Sequence, residues 1–286
     1  MRAMFCWLGQ SDFLDTDNHQ QSLINFCGTN GVDTLLMDFY SYLGASNWTS
    51  AHVTRVKQFI SVCHASGIRV WALCGNTDWA TNQQWVLPNV IRRLVDFELI
   101  SDTGTSNTGA YFDGLMLDIE YWTVTGYDAT VQVPALCDFV KALKKLMGNR
   151  PVGLFTTQWL ITTGTAQSVT YNGITQLEGY HLMDAADLTV VACYSNNGGG
   201  TDGATQIAEM QPWFDYAKAQ TRNYGLMCGS ETGSGQPAGT SYNGETKAKM
   251  EQNHTAISSN FIVNPESDAV FLGQAIDSYY SYNTMS

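Results

Sequence analysis

Short apolar runs alternate with longer amphipathic stretches along this 286-residue chain. The runs at 2–8, 32–40, 68–74, 111–122, 152–157, 188–194, 224–228 and 269–276 have the length and composition of buried strands. Between them, residues 50–65 place Val53, Val56, Phe59, Ile60 and Cys63 at helical spacing, and Gly67 follows as a C-terminal stop. Similar patterns predict helices over 18–26, from the 80s through Pro88 to 100, and over 134–147, 204–220 and 247–259. The stretch 164–184 is predicted to hold one short helix at 176–183. Strand and helix alternate with no composition break that would mark a linker, which calls for a parallel sheet covered by helices. About eight such repeats predict a closed (β/α)8 barrel, a single α/β domain over 1–286, since ~250 residues is typical of one. A doubly wound open sheet would carry a glycine-rich phosphate loop after its first strand. Trp7-Leu8-Gly9-Gln10-Ser11 is not one. Little chain follows the last strand, so the eighth helix is expected to be short, missing or replaced.

Composition narrows the function. Charged residues make up 14% of the chain, well below the usual quarter, and the net charge is −12. An acidic chain without Lys/Arg clusters is a poor partner for nucleic acid or for anionic membrane surfaces. No apolar run is long enough to span a bilayer. No signal peptide is visible at Met1-Arg2-Ala3-Met4-Phe5, and the compartment stays open between the cytoplasm and secretion with a removed signal. Seven cysteines, an odd number with no C-x-x-C, predict buried free thiols without disulfides, a zinc site or a cofactor. N-x-T sequons begin at Asn47 and Asn253.

The fourth strand carries the chemistry. Side chains alternate along a strand, so Leu115, Leu117 and Ile119 share one face, and Met116, Asp118 and Glu120 share the other. The first face must pack on helices, and the second then points two acids into the space the sheet encloses. Uncompensated burial costs several kcal/mol even for a neutral polar group, roughly 2–7. Two acids at a strand end therefore point to function, although ion-pairing or helix capping is the ordinary use of such a pair.

In (β/α)8 barrels the active site lies at the C-terminal strand ends. Those ends supply Trp7, Asp38 with Tyr40, Asn76, Asp118 with Glu120 and Trp122, and Gln158 with Trp159. The later strands add Tyr194 with Asn196, Glu231, and Asp277 with Tyr279. Acids, amides and aromatics converge there and Lys and Arg do not, which disfavours phosphorylated or carboxylate substrates. Rings stack on apolar sugar faces and acids and amides bond hydroxyls, so carbohydrate is the expected partner. Glycosidic cleavage needs an acid to protonate the leaving oxygen and a group to stabilise the anomeric cation. Glu120 is the candidate acid, with Asp118 beside it to push its pKa upward.

Asp113-Gly114-Leu115-Met116-Leu117-Asp118-Ile119-Glu120 resembles the D-G-x-D-x-D-x-E signature of family 18 glycoside hydrolases, the chitinases and endo-β-N-acetylglucosaminidases. Every position matches except Met116, which stands where the family has its middle Asp. The resemblance implies that Glu120 is the proton donor and that Asp118 orients a substrate N-acetyl group. It also implies that Tyr194, on the sixth strand, helps to hold that group. The Met and Asp that flank the family's tyrosine, and the Trp at its eighth strand, have no counterpart here. Retaining barrel glycosidases of other families place a nucleophilic Glu on strand seven, a place that Glu231 takes. Glycoside hydrolysis of a neutral or N-acetylated glycan is thus the first expectation, with Glu120, Asp118, Tyr194 and Glu231 as its catalytic set. Two alternatives remain: a chitinase-like lectin without hydrolysis, favoured by Met116, and a lyase, isomerase or cyclase in which Asp38, Asp118, Glu120 and Glu231 hold a divalent cation.

Overall fold

A computed structural model describes residues 1–7, 17–39, 50–100, 110–220, 225–262 and 270–286. In chain order the strands are β1 (Arg2–Cys6), β2 (Thr34–Asp38), β3 (Arg69–Cys74), β4 (Gly114–Leu117), β5 (Val152–Thr157), β6 (Ser168–Tyr171), β7 (Ile174–Leu177), β8 (Leu188–Ala192), β9 (Gly225–Glu231) and β10 (Phe271–Asp277). Eight of them close into a parallel barrel in the order β1-β10-β9-β8-β5-β4-β3-β2, the expected (β/α)8 architecture. β6 and β7 form a separate antiparallel hairpin between the fifth and sixth barrel strands. The helices are α1 (Asp17–Asn30), α2 (Ser50–Ala65), α3 (Gln83–Val86), α4 (Arg92–Ile100), α5 (Ala129–Met147), α6 (Glu178–Ala185), α7 (Ala204–Ala219), α8 (Lys247–Phe261) and α9 (Tyr279–Asn283). The last strand is thus followed by a helix of five residues, as expected.

Strand alternation divides the apolar residues into two cores. Leu115, Leu117 and Ile119 join the large layer between sheet and helices. Met116 joins Phe5, Leu36, Trp71, Phe155, Val190 and Met227 inside the barrel. The two largest interior groups on β3 and β4 need small neighbours. A Cβ on Gly114 would lie 2.6 Å from the Trp71 ring, and one on Gly153 would lie 2.7 Å from Met116 Cε. Met116 is therefore interior filling among the apolar side chains of the barrel.

Local chemistry corrects three expected boundaries. The fourth strand is four residues long, not twelve, and Tyr121–Thr123 forms a 3-10 turn. One further ladder bond, from the Asp118 amide to the Cys74 carbonyl, carries β4 up to the acid. α5 begins five residues before Pro134 because Asp128 caps it, accepting from the Thr130 amide at 2.9 Å. Gln132 accepts from the Asp128 amide at 2.8 Å and completes the cap. The expected single helix in 164–184 becomes the β6–β7 hairpin followed by α6. Asn172 and Gly173 turn that hairpin with φ of 52° and 79°, the positive values a tight two-residue turn needs.

All seven cysteines are free and buried. Asn253 is also buried, donating to Tyr242 Oη at 2.9 Å, so its sequon is closed to glycosylation in the folded chain. The Asn47 sequon lies outside the described residues. Among the described residues no helix is long and apolar enough to cross a membrane.

Candidate active site

Asp118 leaves the end of β4 toward the barrel axis, one step above Met116. Its neighbour in the sheet must come very close there. A Cβ on Gly75 would fall 1.8 Å from the Asp118 carbonyl oxygen, so only glycine fits at the end of β3. Asp118 Oδ1 is buried and has no hydrogen-bond partner among the described residues. Burial, then the neighbouring charges of Glu120 and Asp277, raise the Asp118 pKa to about 8. Glu120 is half-buried on the turn above, and burial and Asp277 raise its pKa as well.

Asp277, at the end of β10, joins the opposite sides of this mouth. It accepts from Trp7 Nε1 at 2.7 Å and from Tyr194 Oη at 3.2 Å. Those two donors come from the ends of β1 and β8, so one carboxylate ties three strand ends together. Burial raises the Asp277 pKa and the two donors oppose the rise. Tyr194 also feels the charges of Asp277, Glu231 and Asp118, in that order after burial. Glu231 completes the set from β9. Its Oε1 accepts from the Gly233 amide and its Oε2 from Gln236 Nε2 at 3.4 Å. Burial, then Asp277, raise the Glu231 pKa to about 7, against the pull of the Gly233 and Thr232 amides. The mouth thus gathers Trp7, Asp118, Glu120, Tyr194, Glu231 and Asp277, all expected there from sequence.

The remaining expected residues divide. Trp122 and Trp159 meet edge to face at 6.4 Å on the rim beside β4 and β5. Asp38 ends β2, half-buried, and contributes after burial to raising the Cys74 thiol. Asn76 is exposed, its Oδ1 accepting from the Asp78 amide at 3.4 Å. Asn196 is taken up by the loops around it: its Nδ2 donates to the Ser241 carbonyl, in the segment after β9, at 3.1 Å and its Oδ1 accepts from the Gly198 amide at 3.0 Å. Gln158 lies outside the mouth, lining a groove with Thr205 and Glu209 of α7. Tyr279 turns away too, its buried ring packing edge-on against Phe26 of α1 at 4.8 Å. Tyr40 lies outside the described residues.

Sequence reasoning missed Glu178. This fully buried acid of α6 accepts from Tyr121 Oη at 2.7 Å and from the Gln167 amide at 2.9 Å. It pins the turn that carries Glu120, and nothing in the local pattern distinguishes it from a helix-surface acid. The expected metal arrangement of Asp38, Asp118, Glu120 and Glu231 does not form. Among the described residues no three His, Cys, Asp or Glu groups converge as a metal-binding set.

No family model matches this chain, and no curated protein matches it in sequence. Its fold is found among solved structures. The C-terminal domain of a putative chitinase from Desulfitobacterium hafniense aligns over 81% of this chain and 66% of its own length, just under two thirds. Its identity is 17% and its TM-score 0.50. A chitinase from Rhizomucor miehei aligns over 87% of this chain and 89% of its own, at 14% identity and a TM-score of 0.51. At such identities the likeness is one of fold, the (β/α)8 barrel of these glycoside hydrolases.

Proposed function

We propose that this protein is a glycoside hydrolase in which Glu120 protonates the glycosidic oxygen. The observation that carries the reading is the gathering of Asp118, Glu120, Glu231 and Asp277, with Trp7 and Tyr194, at the C-terminal mouth of the barrel. A leaving alkoxide needs a proton at neutral pH, and a carboxyl whose pKa is raised by burial and by a neighbouring acid can supply it. Glu231 sits on the seventh barrel strand with backbone amides on its carboxylate, which favour its charged form. It is the group placed to meet the developing positive charge, by attack or by activating water. The role of Asp118 implied by the resemblance, orienting an acetamido group, is weakened by Met116, which removes the acid that would share its proton. Trp122 and Trp159 offer ring faces along the rim for the flanking sugars.

Release of reducing ends from a panel of glycans, by wild type and Glu120→Gln, tests this reading. Turnover by the wild type is expected to fall by about 10²–10⁴-fold in the variant, the usual contribution of a general acid. Glu231→Gln is expected to fall comparably, with azide restoring its turnover if Glu231 is a nucleophile. Binding without turnover in the wild type would favour a lectin on the same barrel instead, and an unimpaired Glu120→Gln enzyme would remove Glu120 from its role.

A further inference from the structure

The mouth is rich in carboxyl groups, and none of the described side chains brings positive charge to them. Asp118, Glu120 and Glu231 all feel the charge of Asp277, and the neutral donors Trp7 Nε1 and Tyr194 Oη are both directed at Asp277, with Gln236 Nε2 directed at Glu231. The Asn196 amide is directed at the Ser241 carbonyl. Asp118 Oδ1 has no partner among the described residues. None of the four acids forms an ion pair among the described residues. The sequence explains why. The segments that leave the eight barrel strands at this end, 7–16, 39–49, 75–82, 118–128, 158–177, 193–203, 232–246 and 278–286, contain no Lys, Arg or His. Among the described residues the Lys and Arg lie on strands or helices, or, for Arg150, in a segment at the opposite end. A bound neutral sugar would strip more water from these acids and give them only hydroxyl donors. An ammonium group brings three donors and a full compensating charge.

Resting on the glycosidase reading above, we infer that the glycan carries free amino groups, a glucosamine-type oligosaccharide whose ammonium groups are received by Asp118 and the acids facing it. A free amine has no acetamido oxygen to attack the anomeric carbon, so this substrate class leaves that part of the chemistry to Glu231. It differs in charge from the neutral or N-acetylated glycan expected from sequence. Near neutrality Asp118, with its pKa raised to about 8, holds a proton in the free site, and Glu231, raised to about 7, is partly protonated. The titratable groups that act on them are Glu120 above β4, Tyr194 beyond β8 and Asp277 on β10, and none brings positive charge. A bound cation lowers the pKa of each acid it meets, so binding should release protons.

Calorimetry on Glu120→Gln protein, with hexamers of glucosamine, N-acetylglucosamine and glucose in two buffers of different ionisation heat at pH 5.5, where the amines are already charged, tests this. The glucosamine hexamer is expected to bind at least ~10-fold more tightly than the other two, with net proton release, and to weaken as salt rises. Asp277→Asn should narrow that preference. Initial cleavage rates of wild type on the same three hexamers give a readout that needs no variant, and should rank them the same way. Equal or tighter binding of an uncharged hexamer, or binding without proton release, overturns the inference. If an uncharged hexamer is cleaved preferentially, the glycosidase reading survives and only the substrate class falls. If no hexamer is bound or cleaved, both fall together.

Discussion

A single carboxyl, Asp118, shows how a site residue can work against the stability of its own fold. Its pKa is about 8 in the folded chain against an ordinary value of 3.8, so the folded state keeps a proton that the unfolded state releases. Stability from this group is full below about pH 4 and is lost as pH rises toward 8. Asp118→Asn has no proton to lose. Thermal denaturation from pH 5 to 9 should show the variant gaining on the wild type as pH rises, reaching a Tm roughly 2–4 °C higher at pH 8.5 if about 1 kcal/mol is recovered. Parallel curves would mean that Asp118 is well solvated or finds a partner. This residue was legible in the sequence because alternation along β4 decides which face it takes, whereas Glu120 lies beyond the strand and keeps to the mouth on the turn that follows. The centrality of Asp277 was not, because its partners Trp7 and Tyr194 meet it only when β1, β8 and β10 are brought around one axis. Tyr279 and Gln158 were misplaced for a related reason: a strand end followed by a turn no longer obeys the alternation that orients the strand.

At the level of elements, the barrel interior is fitted around two large side chains. Trp71 and Met116 fill the space that Gly114 and Gly153 leave. Gly114→Ala would drive a methyl into a rigid indole, whereas Gly153→Ala would meet the mobile end of a methionine. Urea titration should therefore show the larger loss for Gly114→Ala, within the ~1–3 kcal/mol usual for overpacking. Met116→Ala should recover part of the Gly153→Ala loss, and strict additivity of those two changes would refute the contact. The hydrophobic pattern made the barrel strands and most helices readable, since each is a run of one period. The β6–β7 hairpin was hidden by its brevity, with four residues per strand, although Asn172-Gly173 is a turn signal in its own right. α5 outran its prediction because a capping interaction, not a periodic one, decides where it starts.

At the scale of the whole molecule, closure of the barrel depends on joining the first strand to the last. β1 meets β10 through Arg2–Gln274, Ala3–Ala275 and Met4–Ile276. Arg2 reinforces the junction by gripping Glu251 of α8, which also accepts from Tyr282 Oη at 2.6 Å. Glu251→Ala should lower hydrogen-exchange protection of the Ala3 and Met4 amides by about tenfold while leaving β4 and β5 unchanged. A uniform loss across all strands would show instead that the barrel opens only as one unit.

That junction also has a consequence in time. The partners of Arg2, Ala3 and Met4 are the residues numbered 274 to 276. At the usual pace of synthesis, ~5–20 residues per second, the first strand waits roughly a quarter of a minute to a minute for its neighbour to be made. Throughout that interval one side of β1 can pair with β2 while its other side offers bare amides and carbonyls beside Ala3 and Phe5. The nascent chain is therefore an open, sticky sheet for most of its manufacture, and its yield in a cell should depend on helpers that shield an unfinished edge.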